Sequence, residues 1–220
     1  MTQFTQLPSG EKNQLTPIEK LVYVYLRRYM NEETKESFPS QERLAKDSGL
    51  SRSTIIKSIK SLIDLEYIEK VYSPTRVTHY KFKKLLHFEP FSHEFLDNKD
   101  IKPLDKAYII ASQEHMFKNE EGKGRMLYTN RELSELINMP QATISKCNRS
   151  LVGDKILSLT TDNNGEVVKT FNLSKVGQAI IWTLQKHEDD IDSLKKDNEY
   201  LHKKIDELEK QLNKQQVLTL

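Results

Sequence analysis

A fifteen-residue run, SGLSRSTIIKSIKSL at positions 48–62, carries three basic side chains and no acid. At about 100° per residue, a helix over this run gathers Ile55, Ile59, Leu62 and Ile63 on one side. The opposite side presents cations and small hydroxyl groups. Lys and Arg meet phosphates or base edges, and small polar side chains let a helix approach a groove closely. The run therefore predicts a DNA-binding surface of Ser51, Arg52, Ser53, Thr54, Lys57, Lys60 and Ser61.

A second copy of the pattern lies 89 residues further along the chain. A gap-free shift aligns Ile55 with Ile144 and Lys57 with Lys146, and residues 140–151 again contain no acid. Glutamine is a natural partner of adenine in the major groove. A face rich in lysine and serine also fits an ordinary solvated helix, but its recurrence favours DNA. The second copy adds the candidate DNA contacts Gln141, Thr143, Lys146 and Arg149, with Asn148 as a further amide.

Both copies contain the capping and turn residues expected of three helices followed by a β-hairpin. In the first copy, Thr16 and Glu19 form a capping box at the start of a helix, and Gly49 is placed to end the second helix. Alternating strands then flank the turn signals SPTR in the first copy and DNNG in the second. This layout predicts a mainly α fold of two tandem winged helix-turn-helix domains with small β-hairpin wings. Arg76 and Asn163, in the two turns, are candidate DNA contacts, although arginine also occurs on any exposed turn.

The string FPSQERLAKDSGLSRSTIIKSIKSLIDLEYIEKV resembles the winged helix-turn-helix of bacterial regulators of the GntR and MarR type. It resembles at least as closely the winged domains at the front of phage and plasmid replication proteins. The resemblance covers residues 15–83 well and 104–173 more weakly. It implies DNA binding through the third helix, with Arg52, Ser53, Thr54 and Lys57 at the contacting positions. The chain departs from the pattern because it has no effector domain of the GntR kind, and Pro-Gln replaces Ser-Arg in the second copy.

The tail predicts one long helix, because residues 174–216 contain no proline. Its apolar steps alternate between three and four residues, with isoleucine mainly at heptad position a and leucine at d. This pattern favours a parallel two-stranded coil, and one buried asparagine at a fixes its register. Opposite charges on the flanks, such as Asp190 facing Lys195, favour a homodimer. A lone surface helix and an antiparallel hairpin are the alternatives. The predicted dimer positions are Ile191, Leu194, Asn198, Leu201, Ile205, Leu208 and Leu212.

These signals divide the chain into five parts. They are a flexible N-terminus at 1–14, a first winged domain at 15–83, a packed linker at 84–103, a second winged domain at 104–173, and a coiled-coil helix at 174–216.

Composition limits the kinds of protein that this chain can be. The formal net charge is only +2, so an anion-binding surface must be local. No apolar run is long enough to span a membrane, and the first residues lack the regions of a signal peptide. A single cysteine, Cys147, excludes an intramolecular disulfide and fits a reducing cytoplasm. We expect a cytoplasmic, nucleoid-associated protein of a bacterium or a phage-infected cell.

The sequence predicts neither an enzyme nor a cofactor. Phosphate-binding glycine loops do not occur, and the six histidines lack metal-ligand spacing and thiol partners. The leading hypothesis is a homodimeric, sequence-specific double-stranded DNA-binding protein that regulates transcription, most simply a repressor. One alternative is a phage or plasmid protein that binds origin or centromere repeats. Another is a scaffold whose winged domains bind other proteins.

Overall fold

The structure is a computed structural model that describes residues 4–9, 14–72, 78–83, 85, 87–119 and 122–177, together with positions 198, 200, 202, 204 and 205 of the tail. The chain divides into two compact units, Met1–Ile181 and Trp182–Leu220. Both predicted winged domains lie in the first unit.

The first half of that unit alternates short strands and helices. Three helices followed by a hairpin, closed by a third short strand, make a winged-helix-like domain. Its elements and the connection that follows are β1 (Phe4–Pro8), α1 (Pro17–Arg28), β2 (Glu36–Ser37), α2 (Gln41–Ser48), α3 (Arg52–Asp64), β3 (Ile68–Tyr72), β4 (Thr78–Phe82), β5 (Phe88–Ser92) and α4 (His93–Asp97). The domain sheet has the order β2–β4–β3, and β1 pairs separately with β5.

The second half repeats the arrangement with one more strand. Its sheet has the order β6–β7–β9–β8, and all pairings are antiparallel. The elements are α5 (Pro103–Ser112), a 3-10 turn (Gln113–His115), β6 (Phe117–Lys118), β7 (Lys123–Met126), α6 (Asn130–Leu136), α7 (Gln141–Gly153), β8 (Leu157–Thr161), β9 (Val167–Asn172) and a 3-10 turn (Ser174–Val176). With sheets in both domains, the fold is mixed α/β rather than mainly α.

The predicted duplication is visible in the backbone. Ile68 lies opposite Phe82 in the first hairpin, and Leu157 lies opposite Phe171 in the second. These pairs are related by the same shift of 89 residues. All four side chains are buried, so each hairpin closes over its own helices with the same two apolar positions.

The turn between the second and third helices is also the same in both copies. Gly49 has φ +72° and Asn138, its counterpart, has φ +52°. Glycine adopts this left-handed conformation without strain, and asparagine tolerates it better than most residues. The helix-to-helix angle of each domain therefore depends on one left-handed residue.

Helices α1, α3 and α6 each begin after a residue that caps them. Thr16 and Glu19 form a complete capping box before α1, and Thr129 and Glu132 form another before α6. Ser51 caps α3 by accepting a hydrogen bond from the Thr54 amide at 3.2 Å. Each bond satisfies an amide that has no partner inside its own helix.

Three predictions of local structure are wrong. The N-terminus was expected to be flexible, but residues 4–8 form β1. The polar segments NEETKES (31–37) and KNEEGKGR (118–125) are predicted to be loops, but they contain strand residues: β2 joins the first sheet, and β6 and β7 make a hairpin in the second. The apolar spacing of the second copy predicts a first helix from Leu104 to about Phe117, but that helix ends at Ser112. Strands β1, β2 and β7 pair with strands far away in sequence, which local patterns do not reveal, whereas β6 pairs only with the nearby β7.

The predicted linker packs between the two winged domains, where α1 contacts α5. The Leu96 carbonyl accepts hydrogen bonds from the Tyr25 hydroxyl at 2.6 Å and from Lys106 Nζ at 2.5 Å. Burial lowers the pKa of Lys106 to about 8. The two domains therefore share an interior that contains a buried amine.

Candidate nucleic-acid interface

The α3 helix is held by its apolar side. Ile55, Ser58, Ile59 and Leu62 are buried, while Ile63 is only half-buried. The buried side is therefore wider toward Ser58 than the apolar pattern alone predicted. It fixes the helix about its own axis and determines which side chains face solvent.

The solvent side of α3 is one stripe, which we call the α3 stripe. It consists of Ser53, Ile56, Lys57 and Lys60, spaced as i, i+3, i+4 and i+7, and all four are exposed. Thr54 and Ser61 were predicted on this face but are half-buried at its flank. Ile56 was not predicted there. The helical-wheel angle of Ile56 lies between the apolar arc and the lysines, and only the packing shows its exposure.

The positive charge of the α3 stripe is suited to contact with a polyanion. None of the ion pairs between described residues involves Lys57 or Lys60. Asp64 is exposed, but it lies in the last turn of α3. A helix that enters a groove by its N-terminal half keeps this carboxylate away from the phosphates.

Hydroxyl groups at the start of α3 bond to one another. Ser51 Oγ lies 2.9 Å from Ser53 Oγ and 2.8 Å from Thr54 Oγ1. Ser51 therefore acts first as the helix cap, and a DNA contact by Ser51 remains a prediction.

Arg52 is exposed but already has a protein partner. Its Nε lies 2.9 Å from Glu42 Oε1 of α2, and both side chains are largely solvent-accessible. An exposed ion pair of this kind contributes only about 0–1 kcal/mol, so a phosphate can displace the carboxylate.

The corresponding helix of the second copy, α7, presents a similar but weaker face. Gln141, Lys146 and Arg149 are exposed, and Thr143 is half-buried. Within the described ranges, neither Lys146 nor Arg149 takes part in an ion pair. Pro140 occupies the cap position without a side-chain hydrogen bond.

Asn148 belongs to the interior rather than to this face. Only 5% of its surface is exposed, and its Oδ1 accepts a hydrogen bond from the Tyr108 hydroxyl at 2.8 Å. Its Nδ2 donates to Asn130 Oδ1 at 3.2 Å. The prediction that Asn148 adds an amide to the binding face is wrong, because the matching position in the first copy, Ile59, is also a core position.

A second polar substitution lies nearby. Lys169 occupies the place of Tyr80 on the central strand and is 2% exposed. Its Nζ donates to the Tyr128 carbonyl, and burial lowers the pKa of the amine. The second domain therefore buries two hydrogen-bonded polar side chains, Asn148 and Lys169, where the first domain has Ile59 and Tyr80.

The two wings differ in charge. Asn163 is exposed in the β8–β9 turn, but Asp162 and Glu166 flank it. Asp162 Oδ1 accepts the amides of Asn164 and Glu166, both at 2.9 Å, so the carboxylate builds the turn itself. Arg76, predicted as a contact in the first hairpin turn, lies outside the described residues.

Charge totals separate the two domains further. Residues 15–83 contain 13 basic and 9 acidic side chains, whereas residues 104–173 contain nine of each. Long-range attraction toward a polyanion is therefore expected of the first domain and not of the second.

Buried Cys147 packs against α5 at the position that corresponds to Ser58. Burial raises the pKa of its thiol to about 12, and neighbouring Asp105 adds to the effect. This residue is a small buried group, and the raised pKa makes its thiol unreactive.

Only part of the predicted dimer surface falls within the described residues. Asn198 and Ile205 are helical and exposed, and Ile205 retains 53% of its surface. The other five predicted positions, Ile191, Leu194, Leu201, Leu208 and Leu212, lie outside the described residues.

Comparison with known proteins bears on the first domain. Residues 12–68 match a family model described as a helix-turn-helix domain. A helix-turn-helix domain suggests DNA binding. A search of curated proteins gave no match.

Among solved structures, the chain is similar to subunit VPS25 of the endosomal trafficking complex ESCRT-II. The identity is 13%, the match covers 70% of this chain and 85% of that chain, and the TM-score is 0.23. A TM-score this low supports no conclusion about fold or function.

Among the described residues, no helix is long and apolar enough to cross a membrane. In the same residues, no three His, Cys, Asp or Glu side chains are grouped so that they could hold a metal ion.

Proposed function

We propose that this chain is a sequence-specific double-stranded DNA-binding protein that reads the major groove with α3. The observation that carries the proposal is the α3 stripe, with two exposed lysines and a small hydroxyl on the face opposite the core. The match of residues 12–68 to a helix-turn-helix domain supports it.

The first winged domain carries the main reading function in this proposal. It has the excess of basic side chains, while the second wing places Asp162 and Glu166 beside Asn163. The second domain then adds backbone contacts through Lys146 and Arg149, which increase affinity without dominating it.

The biological role we propose is transcriptional regulation by a homodimer, most simply repression, without enzymatic activity or a cofactor. The heptad pattern of the tail supports the dimer, as does the exposure of Ile205 in the single chain. Two parallel tails impose a twofold axis, so we expect an inverted-repeat site.

A second role is favoured by the duplication itself. Two winged domains per chain also suit a protein that binds iterated origin or centromere repeats of a phage or plasmid. Footprinting of genomic fragments separates the roles: protection of promoters supports regulation, and protection of tandem repeats supports replication or segregation.

The central experiment measures binding of labelled duplexes selected from a random library. We expect Lys57→Glu to weaken binding by at least about tenfold, since it places an acid opposite the phosphates. Lys146→Glu should weaken binding less. Lys46→Glu, on an exposed part of α2, makes the same charge change outside the α3 stripe and controls for net charge.

Two results would contradict this proposal. One is the absence of any selected duplex at low salt. The other is equal weakening by the Lys57 and Lys46 substitutions, which would indicate only nonspecific attraction. If Lys57→Glu combined with Lys146→Glu leaves binding to a protein partner intact and no duplex is bound, the scaffold hypothesis gains.

Sedimentation tests the dimer. A shortened chain ending at Gln185 should be monomeric at micromolar concentration, while the full chain should be dimeric. A shortened chain that stays dimeric would contradict the role of the tail. Replacing Asn198 by Leu should stabilise the coil and relax its preference for two strands.

A further inference from the structure

Ile56 is the one member of the α3 stripe that the chemistry of phosphate binding does not explain. It keeps 42% of its surface exposed, although it lies one turn from Ser53 and Lys60 and beside Lys57. A single exposed isoleucine is ordinary on a protein surface. Its place in the middle of the basic face is what calls for a physical reason.

The fold does not require an isoleucine at this position. The core side of α3 is filled by Ile55 and Ile59, which are both buried. The matching residue in the second domain is Ser145, whose Oγ accepts a hydrogen bond from Asn130 Nδ2 at 3.2 Å. A polar residue therefore serves the same position of the same fold.

We propose that Ile56 is a specificity residue that contacts the C5-methyl group of a thymine. This inference rests on the proposed function, because it assumes that the α3 stripe lies in the major groove. Among the four bases, only thymine presents a methyl group there, and apolar side chains recognise it by contact. Lys57 and Lys60 then bind phosphates or base edges on either side, while Ile56 removes the methyl group from water.

Geometry supports the middle of the stripe as the reading position. Ser53, one turn before Ile56, is small, so it allows close approach of the helix to the base edges. The lysines are long and can reach outward to the backbone. The Ile56 side chain is shorter than a lysine and is stiff because it is β-branched. It therefore holds a fixed apolar surface at the groove floor.

The test removes one methyl group at a time. In a duplex selected by the full chain, each thymine is replaced singly by deoxyuridine, which keeps every hydrogen-bonding group and lacks only the methyl. We expect one position, or one per half-site, at which the wild-type chain loses affinity threefold to tenfold. Ile56→Ala should bind the parent duplex more weakly by a similar factor and should lose the response at that position alone.

Two further variants complete the test. Ile56→Val, which keeps a β-branched apolar surface, should retain most of the response. Val152→Ala changes an exposed apolar residue on α7, with 41% of its surface exposed, and should keep the wild-type profile. Thermal unfolding of Ile56→Ala should match that of the wild-type chain, because the side chain lies outside the core.

Each result decides between the two levels of the proposal. If duplexes are bound but no deoxyuridine position matters, or if Ile56→Ala keeps the full response, the inference about Ile56 is overturned and DNA binding stands. If no duplex is bound at all, the proposed function fails together with the inference. If Ile56→Ala is the only variant that loses the deoxyuridine response at one position, both the inference about Ile56 and the proposed function are supported.

Discussion

Arg52, the first residue of α3, forms an ion pair with Glu42 at the start of α2, with 2.9 Å between Nε and Oε1. In a helix-turn-helix domain, the first turn of the third helix is where side chains meet bases and backbone. The carboxylate therefore lies where a phosphate is expected to bind. Glu42 forms an ion pair with Arg52 in the free protein, and under the proposed function it competes with DNA for the same guanidinium group.

Replacing Glu42 by Gln should strengthen DNA binding by several fold. The substitution releases Arg52 and removes a negative charge from the phosphate side, while the exposed ion pair it breaks contributes at most about 1 kcal/mol to stability. If Arg52 then binds one more phosphate, log Kd should depend on log salt more steeply by about one. Fluorescence anisotropy across a salt series measures both quantities.

Glu32→Gln is the matched control, because Glu32 forms a similar exposed pair with Lys35 at 2.8 Å in the loop after α1. Equal strengthening by both substitutions would show that only the net charge matters. Weakening by Glu42→Gln would mean that the ion pair positions Arg52 for DNA instead of withholding it.

Replacing Gly49 by Ala should lower the free energy of unfolding by roughly 1–3 kcal/mol. The residue has φ +72°, and a Cβ there would come within 2.8 Å of Pro103 Cγ at the start of α5. Asn138→Gly, at the matching turn with φ +52°, should change stability by less than about 1 kcal/mol and in the favourable direction. Urea unfolding of the two variants compares them. Equal stability of Gly49→Ala and the wild-type chain would contradict the packing of this turn against α5.

Replacing Asn148 by Ala should destabilise the protein by roughly 1–3 kcal/mol. The substitution leaves the Tyr108 hydroxyl without the acceptor that it contacts at 2.8 Å in a buried site. Asn164→Ala, on the exposed turn of the second wing, should stay within about 0.5 kcal/mol of the wild-type value. Denaturant midpoints measure the difference. A neutral Asn148→Ala would mean that water or repacking satisfies the tyrosine.

Stability should rise between about pH 7 and pH 9 because of Lys106. The pKa of this amine is lowered from 10.5 to about 8 by burial, so the folded chain releases its proton at a pH where the unfolded chain still holds it. When the unfolded state binds more protons, raising the pH favours folding, here by about 1 kcal/mol over this range. Lys20 and Lys169, whose pKa values burial also lowers, act in the same direction.

Lys106→Met should therefore flatten the rise by about 1 kcal/mol between pH 7 and pH 9. The Leu96 carbonyl keeps its bond from Tyr25 in this variant, so the loss of one donor is tolerated. Lys46→Met, on an exposed part of α2, should give a curve parallel to that of the wild-type chain. Guanidinium unfolding at several pH values compares the three. Parallel curves for Lys106→Met and the wild-type chain would show that the amine stays charged in the folded state.

Local signals predicted the helices of both domains well. Capping residues such as Ser51 and Thr129 act within three or four residues, so their effect is visible in a short stretch of sequence. The duplication carried the pattern of the first domain over to the second, because the register that places Ile68 opposite Phe82 recurs 89 residues later.

What could not be predicted depends on contacts between distant segments. Strand β1 exists because it pairs with β5, and the periodicity of five residues does not indicate a partner 84 positions away. The Arg52–Glu42 ion pair depends on how α2 meets α3. The exposure of Ile56 depends on which other elements pack against α3. A helical wheel gives the direction of each side chain but does not show which directions are covered.

The pairing of residues 4–8 with residues 88–92 has a consequence for synthesis of the chain. During translation the opening strand emerges first, yet the segment that it must join follows the whole first winged domain. Leu7, fully buried in the finished protein, therefore lacks its neighbours on β5 until that later segment leaves the ribosome. A fragment intended to represent the first winged domain by itself must therefore include residues 4–8 and 88–92, because a fragment cut at the helices and wing would lack the β1–β5 pair.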